Sequence, residues 1–324
     1  MKNPLIGYAL MFLVIAALPA LGVYPIFAMK LMCFALFACA FNLLIGFTGL
    51  LSFGHAAFFG MAAYGAGQAI KVWGLPVPVS LLFGVGCAAL LGLVFGLLAI
   101  RRSGIYFAMI TLALSQMVYF YFLQAPFTGG EDGLQSVPRG SLFGLSLESD
   151  LTLFYVVLAI FIGGFWLIYR TVHSPFGQVL TAIRENEPRA ISLGYDVERF
   201  KLLAFVLSAA LAGLAGATKT LVLGFATLSD AVWTTSGAVI LMTLVGGMGT
   251  MVGPMVGALV IVALENKIGD LGSLLANLTG IAWFQSLSEA VNLVTGLIFI
   301  VCVLAFRRGI VGEALALIAK WRQG

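Results

Sequence analysis

Residues 31–70 contain no Asp, Glu, Lys or Arg, an uninterrupted apolar stretch bounded by Lys30 and Lys71. A stretch of that length is far longer than a soluble core helix and about twice the roughly 20 residues that cross a bilayer. It therefore has to hold two crossings, expected at residues 31–50 and 51–70. The same rule finds further spans at residues 5–28, 76–100, 104–125, 151–169, 202–225 and 287–306. The apolar run at 236–264 is too long for one span. It is interrupted by Gly246-Gly247-Met248-Gly249 and Gly253-Pro254 and is expected to form two short helices in a hairpin. Irregular backbone of this kind survives in a membrane only where protein or a cavity surrounds it. The expected fold is an all-α membrane protein, a polytopic helical bundle of about ten transmembrane segments: either ten full spans or eight with a re-entrant hairpin. One transmembrane domain is expected over residues 1–324.

Composition agrees: 61% of residues are hydrophobic, and 9% are charged, against about 25% in a soluble domain. The net charge of +4 does not point to nucleic acid, because the basic residues sit at the edges of the apolar runs, where they act as topology signals. With Arg101 and Arg102 in the cytoplasm, following the crossings puts Lys2, Arg170, Arg184, Arg189, Arg199, Lys201, Arg307, Arg308, Lys320 and Arg322 on the same side. Lys30, Lys71, Arg139 and Lys267 fall outside, and Lys219 is expected near an outer helix end, where it can snorkel. This bias places both termini inside, loop 126–150 outside and loop 170–201 inside. The start of the chain resembles a signal peptide, but the run after Lys2 is long enough to span and is expected to stay as a first helix.

Chemistry is sparse. Cys33, Cys39, Cys87 and Cys302 lie within apolar runs with no zinc or redox spacing. With only His55 and His173 present, neither a hydrolytic triad nor a metal set is suggested. The stretch Gly213-Leu214-Ala215-Gly216-Ala217-Thr218-Lys219-Thr220 imitates a phosphate loop but has Thr218 where the glycine before the lysine belongs. No Asp or Glu lies deep inside an expected span, which argues against a carrier driven by protons or sodium on its own. No cofactor is expected, and the chain is not expected to be an enzyme.

Two features suggest function. Gly46-Phe47-Thr48-Gly49 with Gly54 and Gly60 echoes Gly246-Gly247-Met248-Gly249 with Gly253 and Gly257, one break in each half of the chain. Paired broken helices mark a transport path at a repeat interface. Asn42, Gly46, Thr48, Gly49, Ser52, Gly54, His55, Gly246, Gly247 and Gly249 are the candidate path residues. His55 either lines the path or bonds a neighbouring helix. The second feature is the loop after residue 169. Ser174 is a fitting N-cap and Pro175 a fitting first residue. Phe176, Val179, Leu180 and Ile183 then share one helical face. Pro188 ends that helix and starts a shorter one that Gly194 closes. This amphipathic piece either rests in the headgroup layer or docks in a groove of a cytoplasmic partner.

The run Asn42-Leu43-Leu44-Ile45-Gly46-Phe47-Thr48-Gly49 through Ser52-Phe53-Gly54-His55 to Gly60 resembles the signature of LivM-type permeases of branched-chain amino-acid ABC importers. So do Ser174-Pro175-Phe176-Gly177 with Ala182-Ile183-Arg184-Glu185-Asn186-Glu187 and Leu193-Gly194-Tyr195, and Leu244-Val245-Gly246-Gly247-Met248-Gly249-Thr250 with Gly253-Pro254 and Gly257-Ala258-Leu259. Pro188 departs from the pattern, which puts the shape after Glu187 in question. The resemblance implies a multi-pass subunit of a bacterial inner membrane, paired with a homologous second permease. It also implies two cytoplasmic ATPase subunits and a periplasmic or extracellular substrate-binding protein. Phe176, Gly177, Ala182, Ile183, Arg184, Glu185, Asn186, Glu187, Leu193 and Gly194 would couple to the ATPase. The implied cargo is leucine, isoleucine or valine, moved by alternating access. The alternatives are an ABC permease for urea or short amides, or a stand-alone carrier.

Overall fold

A computed structural model describes residues 4–142, 144–279, 296–297, 300 and 309–321. The expected span at 287–306 lies almost wholly outside the described residues. The helices are α1 (Pro4–Ala17), α2 (Pro25–Thr48), α3 (His55–Lys71), α4 (Val77–Ala99), α5 (Gly104–Gln124), α6 (Asp150–Val172), α7 (Pro175–Glu185), α8 (Glu187–Ser192), α9 (Val197–Leu223), α10 (Trp233–Gly246), α11 (Gly253–Thr279) and α12 (Gly309–Trp321). A hairpin of two-residue strands, β1 (Ser141–Leu142) and β2 (Leu145–Ser146), decorates the loop between α5 and α6. Among the described residues five helices, α2, α4, α5, α6 and α9, are long and apolar enough to cross a membrane. The protein is an all-α membrane bundle.

α2 and α9 form the axis of the bundle. α2 packs on α6, α9, α10 and α11, while α9 packs on α2, α3 and α4. Small residues permit these close approaches, as expected where helices associate without a hydrophobic drive. A Cβ added to Gly213 on α9 would run into the Ala88 methyl of α4, and one added to Gly92 on α4 would lie 2.5 Å from the Ala209 methyl of α9. Phe37, Phe41, Phe58, Phe59 and Phe205 fill the interior without exposure.

Three expectations change. The run at 5–28 is not one helix: α1 stops at Ala17, and Pro19, a left-handed Gly22 and Pro25 turn the chain before α2. α1 then lies along α6, with Tyr8 and Phe12 edge-on to Phe165 at 5.4 Å. The second arm of the hairpin is not short: α11 runs for 27 residues. It carries Glu265 well inside a helix expected to be free of acids. Lys219 does not snorkel; it is buried on α9 and bonds both Asp230 carboxylate oxygens at 2.7 Å. Asp230 also accepts from the Thr227 backbone N–H at 3.1 Å, which closes a capping box.

Candidate functional site

The breaks at 49–54 and 247–252 meet at the end of the bundle that also carries α7. α2 stops at Gly49, which adopts φ 78° and donates its N–H to the Leu44 carbonyl. Three donors exposed by this break find side-chain partners, which answers the demand of buried backbone. Phe53 N–H bonds Thr111 Oγ1 at 3.2 Å, Gly54 N–H bonds Ser52 Oγ at 3.1 Å, and Ala56 N–H bonds Ser236 Oγ at 2.9 Å. Two helices, α5 and α10, thus hold the restart of the chain at His55.

Asn42 joins the two breaks. Its Oδ1 accepts from the Gly249 N–H at 2.9 Å, and its Nδ2 donates to the Thr250 carbonyl at 2.9 Å. The side-chain amide of α2 thereby takes the place of a peptide group in the 247–252 turn. Gly46 makes room: a Cβ there would lie 2.8 Å from the Gly249 nitrogen. Gly247 (φ 122°) and Gly249 (φ 78°) take backbone conformations closed to most side chains. Gly246 lies against Gly253 and Gly257, so α10 and α11 touch backbone to backbone.

α7 reaches the same place. Ser174 Oγ caps it from the Gly177 N–H, as the sequence suggests. Arg184, in its last turn, donates from Nη1 to the Gly46 carbonyl. A Cβ on Gly49 would lie 3.2 Å from Arg184 Cγ, so the arginine stem rests against that glycine. This cation at the C-terminal end of α2 also complements the helix dipole. Asn42, Gly46, Gly49, Arg184, Gly249 and Thr250 make one junction, hereafter the glycine junction.

The remaining candidates divide. Phe176 stacks on Phe200 at 5.5 Å, and Gly177 and Ile183 are buried, so these three face the bundle. Asn186 Oδ1 caps α8 by accepting from the Arg189 N–H at 3.1 Å. Glu187 pairs with the buried Lys201 at 2.6 Å. α8 starts with Pro188 in its first turn, and Gly194 follows it at φ 88°. Ala182, Glu185, Leu193 and Gly194 are exposed. Beside them Ile191 is 57% and Tyr195, the last residue of the motif, 42% exposed; Ile191 is an apolar surface outside the motif.

Thr48 and Ser52 are buried and satisfy local backbone groups. His55 has no exposure. Its Nε2 lies 2.9 Å from Ser208 Oγ, which donates to the Ala40 carbonyl at 2.6 Å. Phe41, Phe58 and Phe205 surround the ring. This position favours a bond between α3, α9 and α2 over contact with a path. Ser208, Ser236 and Thr111 are not singled out in the sequence, where hydroxyls in apolar helices carry no spacing signal.

A bundle with paired glycine breaks and a short polar helix hydrogen-bonded to one of them defines a membrane permease subunit. The family model described as "Branched-chain amino acid transport system / permease component" matches residues 24–304, and the chain belongs to that family. It is 28% identical over 263 residues to the high-affinity branched-chain amino acid transport system permease protein LivM of Escherichia coli (strain K12), covering 74% of this chain and 62% of that protein. It is 29% identical to the autoinducer 2 import system permease protein LsrC of Enterobacter sp. (strain 638), covering 64% of this chain and 61% of that protein. It is also 29% identical to the ribose import permease protein RbsC of Bacillus subtilis (strain 168), covering 60% and 58%. The chain spans less than two thirds of the length of these curated relatives.

Proposed function

We propose that this chain is a translocating subunit of an ATP-driven importer of branched-chain amino acids, working by alternating access. The observation that carries the reading is the bond from Arg184 to the Gly46 carbonyl, which links α7 to the glycine junction. α7 and α8 are then the coupling segment, with Ala182, Glu185, Ile191, Leu193 and Tyr195 turned toward an ATPase subunit. A shift of α7 pulls on the end of α2, and Asn42 passes the shift to the turn between α10 and α11. Interfaces of this kind switch between discrete packings rather than deforming smoothly.

The remaining assignments follow from this reading. The whole chain is one permease domain, and among the described residues its crossings are α1 to α6, α9 and α11. α10, at 14 residues, is about 21 Å long and falls short of the roughly 30 Å hydrocarbon layer. Loop 170–201 and both termini lie in the cytoplasm, and loop 126–150 lies outside. The partners are a homologous second permease, two ATPase subunits and a substrate-binding protein. The names of the autoinducer 2 and ribose relatives favour a second reading, in which the same machinery carries another small polar solute.

Proteoliposomes test the proposal. The chain assembled with its second permease and ATPase subunits, and supplied with binding protein, accumulates leucine when ATP is present. Accumulation of leucine by the chain alone would overturn the ABC reading. Competition by isoleucine and valine but not by urea or ribose is the result expected for substrate class.

A further inference from the structure

A cavity of about 360 Å³ lies between α10, α11 and the 49–54 break. Its wall is apolar at Phe53, Trp233, Ala238, Ile240 and Leu241, and it contains one acidic side chain, Glu265. The size lies within the range of small-molecule sites. The backbone contacts of the hairpin set its register: Gly246 lies against Gly253, and Gly257 lies against Met242. Continuing that pairing brings Glu265 level with the start of α10. Glu265 is therefore about 18 Å along α11 from Gly253, toward the outer side of a hydrocarbon layer roughly 30 Å thick.

Among the described residues no hydrogen bond or ion pair holds the Glu265 carboxylate. The charge that acts on it is Lys30, on α2. A carboxylate at membrane depth is costly, by at least about 2.5–3.5 kcal/mol, unless it faces protein or a watered path. Thr234, Gly237 and Gly296 complete the lining, the cavity is open on one side among the described residues, and the cost of the carboxylate favours a second protein chain or water over lipid on that side. One carboxylate beside an aliphatic and aromatic wall complements a ligand that carries an ammonium group and a branched hydrocarbon.

We propose that this cavity is the amino-acid subsite of the translocation path, with Glu265 taking the substrate ammonium and Phe53, Ile240 and Leu241 its aliphatic side chain. The proposal rests on the amino-acid import reading above and deepens it. It also connects binding to coupling. Phe53 belongs to the break whose first residue, Gly49, rests against Arg184, so a shift of α7 reshapes the wall that touches the substrate.

The test uses the assembled complex in proteoliposomes. Glu265→Gln is expected to raise the leucine half-saturation concentration about tenfold or more, the loss of one charge-assisted hydrogen bond. Glu265→Asp is expected to raise it less. In a second arm, Ala238→Cys is placed in a chain with Cys33, Cys39, Cys87 and Cys302 replaced by serine. Leucine is expected to slow its labelling by a small charged thiol reagent, and 4-methylpentanoate, which lacks the ammonium, is expected not to. This arm keeps Glu265 and decides the matter if Glu265→Gln fails to assemble. With wild-type leucine uptake intact, unchanged half-saturation in both variants, or labelling indifferent to leucine, overturns the subsite alone. Absence of leucine uptake by the wild-type complex overturns the substrate reading and the subsite with it.

Discussion

Arg184 donates from its guanidinium to the main-chain carbonyl of Gly46, a partner 138 positions earlier in the chain. The bond ties the last turn of α7 to the last turn of α2, four residues from the amide of Asn42. From there two further hydrogen bonds lead to the turn between α10 and α11. A single shift of α7 thus has a short physical route to both breaks.

Asn42→Leu leaves the Gly249 N–H and the Thr250 carbonyl without their partner. Each orphaned, part-buried group costs up to about 1–3 kcal/mol, so the expected result is a fall in thermal unfolding temperature in detergent. Asn42→Asp keeps the acceptor for Gly249 and loses the donor to Thr250, and its expected loss is different in kind, since it buries a charge. A thermal scan of purified Asn42→Leu that matches the wild type would remove Asn42 from the junction.

Gly257→Ala forces a methyl against the Met242 carbonyl and within 2.9 Å of the Gly246 nitrogen. The neighbours are backbone atoms and cannot turn aside, so a loss at the upper end of the roughly 1–3 kcal/mol seen for overpacking is expected. Gly163→Ala on α6 meets nothing within 4 Å and is expected to be neutral. Side-by-side unfolding midpoints check the contrast.

The Lys219–Asp230 pair is buried on both sides, at 5% and 6% exposure. Breaking a buried pair by removing one partner costs about 3–5 kcal/mol, because the other charge is stranded. Lys219→Met is therefore expected to destabilise more than Lys219→Met combined with Asp230→Asn. Unfolding midpoints for the two single variants and the double variant provide the comparison; a double variant as weak as the sum of the singles would show that the two charges do not act as a pair.

Leu193→Asp and Ile191→Asp place charges on the exposed apolar surface beside α8. Neither side chain packs in the core, with exposures of 68% and 57%, so folding is expected to persist. Co-purification of the ATPase subunit is expected to fall about tenfold or more, the effect of placing an unpaired charge in a hydrophobic interface. Retained co-purification would move the docking surface elsewhere.

Sequence punctuation was readable where it is local. Ser174, Pro175, Pro188 and Gly194 mark α7 and α8 because caps and prolines act on their immediate neighbours. The two glycine breaks were readable as breaks, since Gly49 and Gly247–Gly249 interrupt long apolar runs. That they meet was not readable, because Asn42 bonds residues more than 200 positions away and no local pattern records such a pairing. Hydropathy ended the hairpin at Leu264, one residue before Glu265, and so hid the acid of the proposed subsite. Lys219 looked like a snorkelling residue because its partner lies in the 228–230 turn, a short loop folded back onto α9 rather than out into water.

The most direct measurement compares ATP hydrolysis with leucine accumulation in the same proteoliposomes for wild-type complex and for Arg184→Ala. The coupling account expects the variant to keep its ATPase subunits and to hydrolyse ATP while leucine accumulation falls about tenfold or more, because the docking helix no longer holds the end of α2. Accumulation at the wild-type rate per ATP hydrolysed would contradict it.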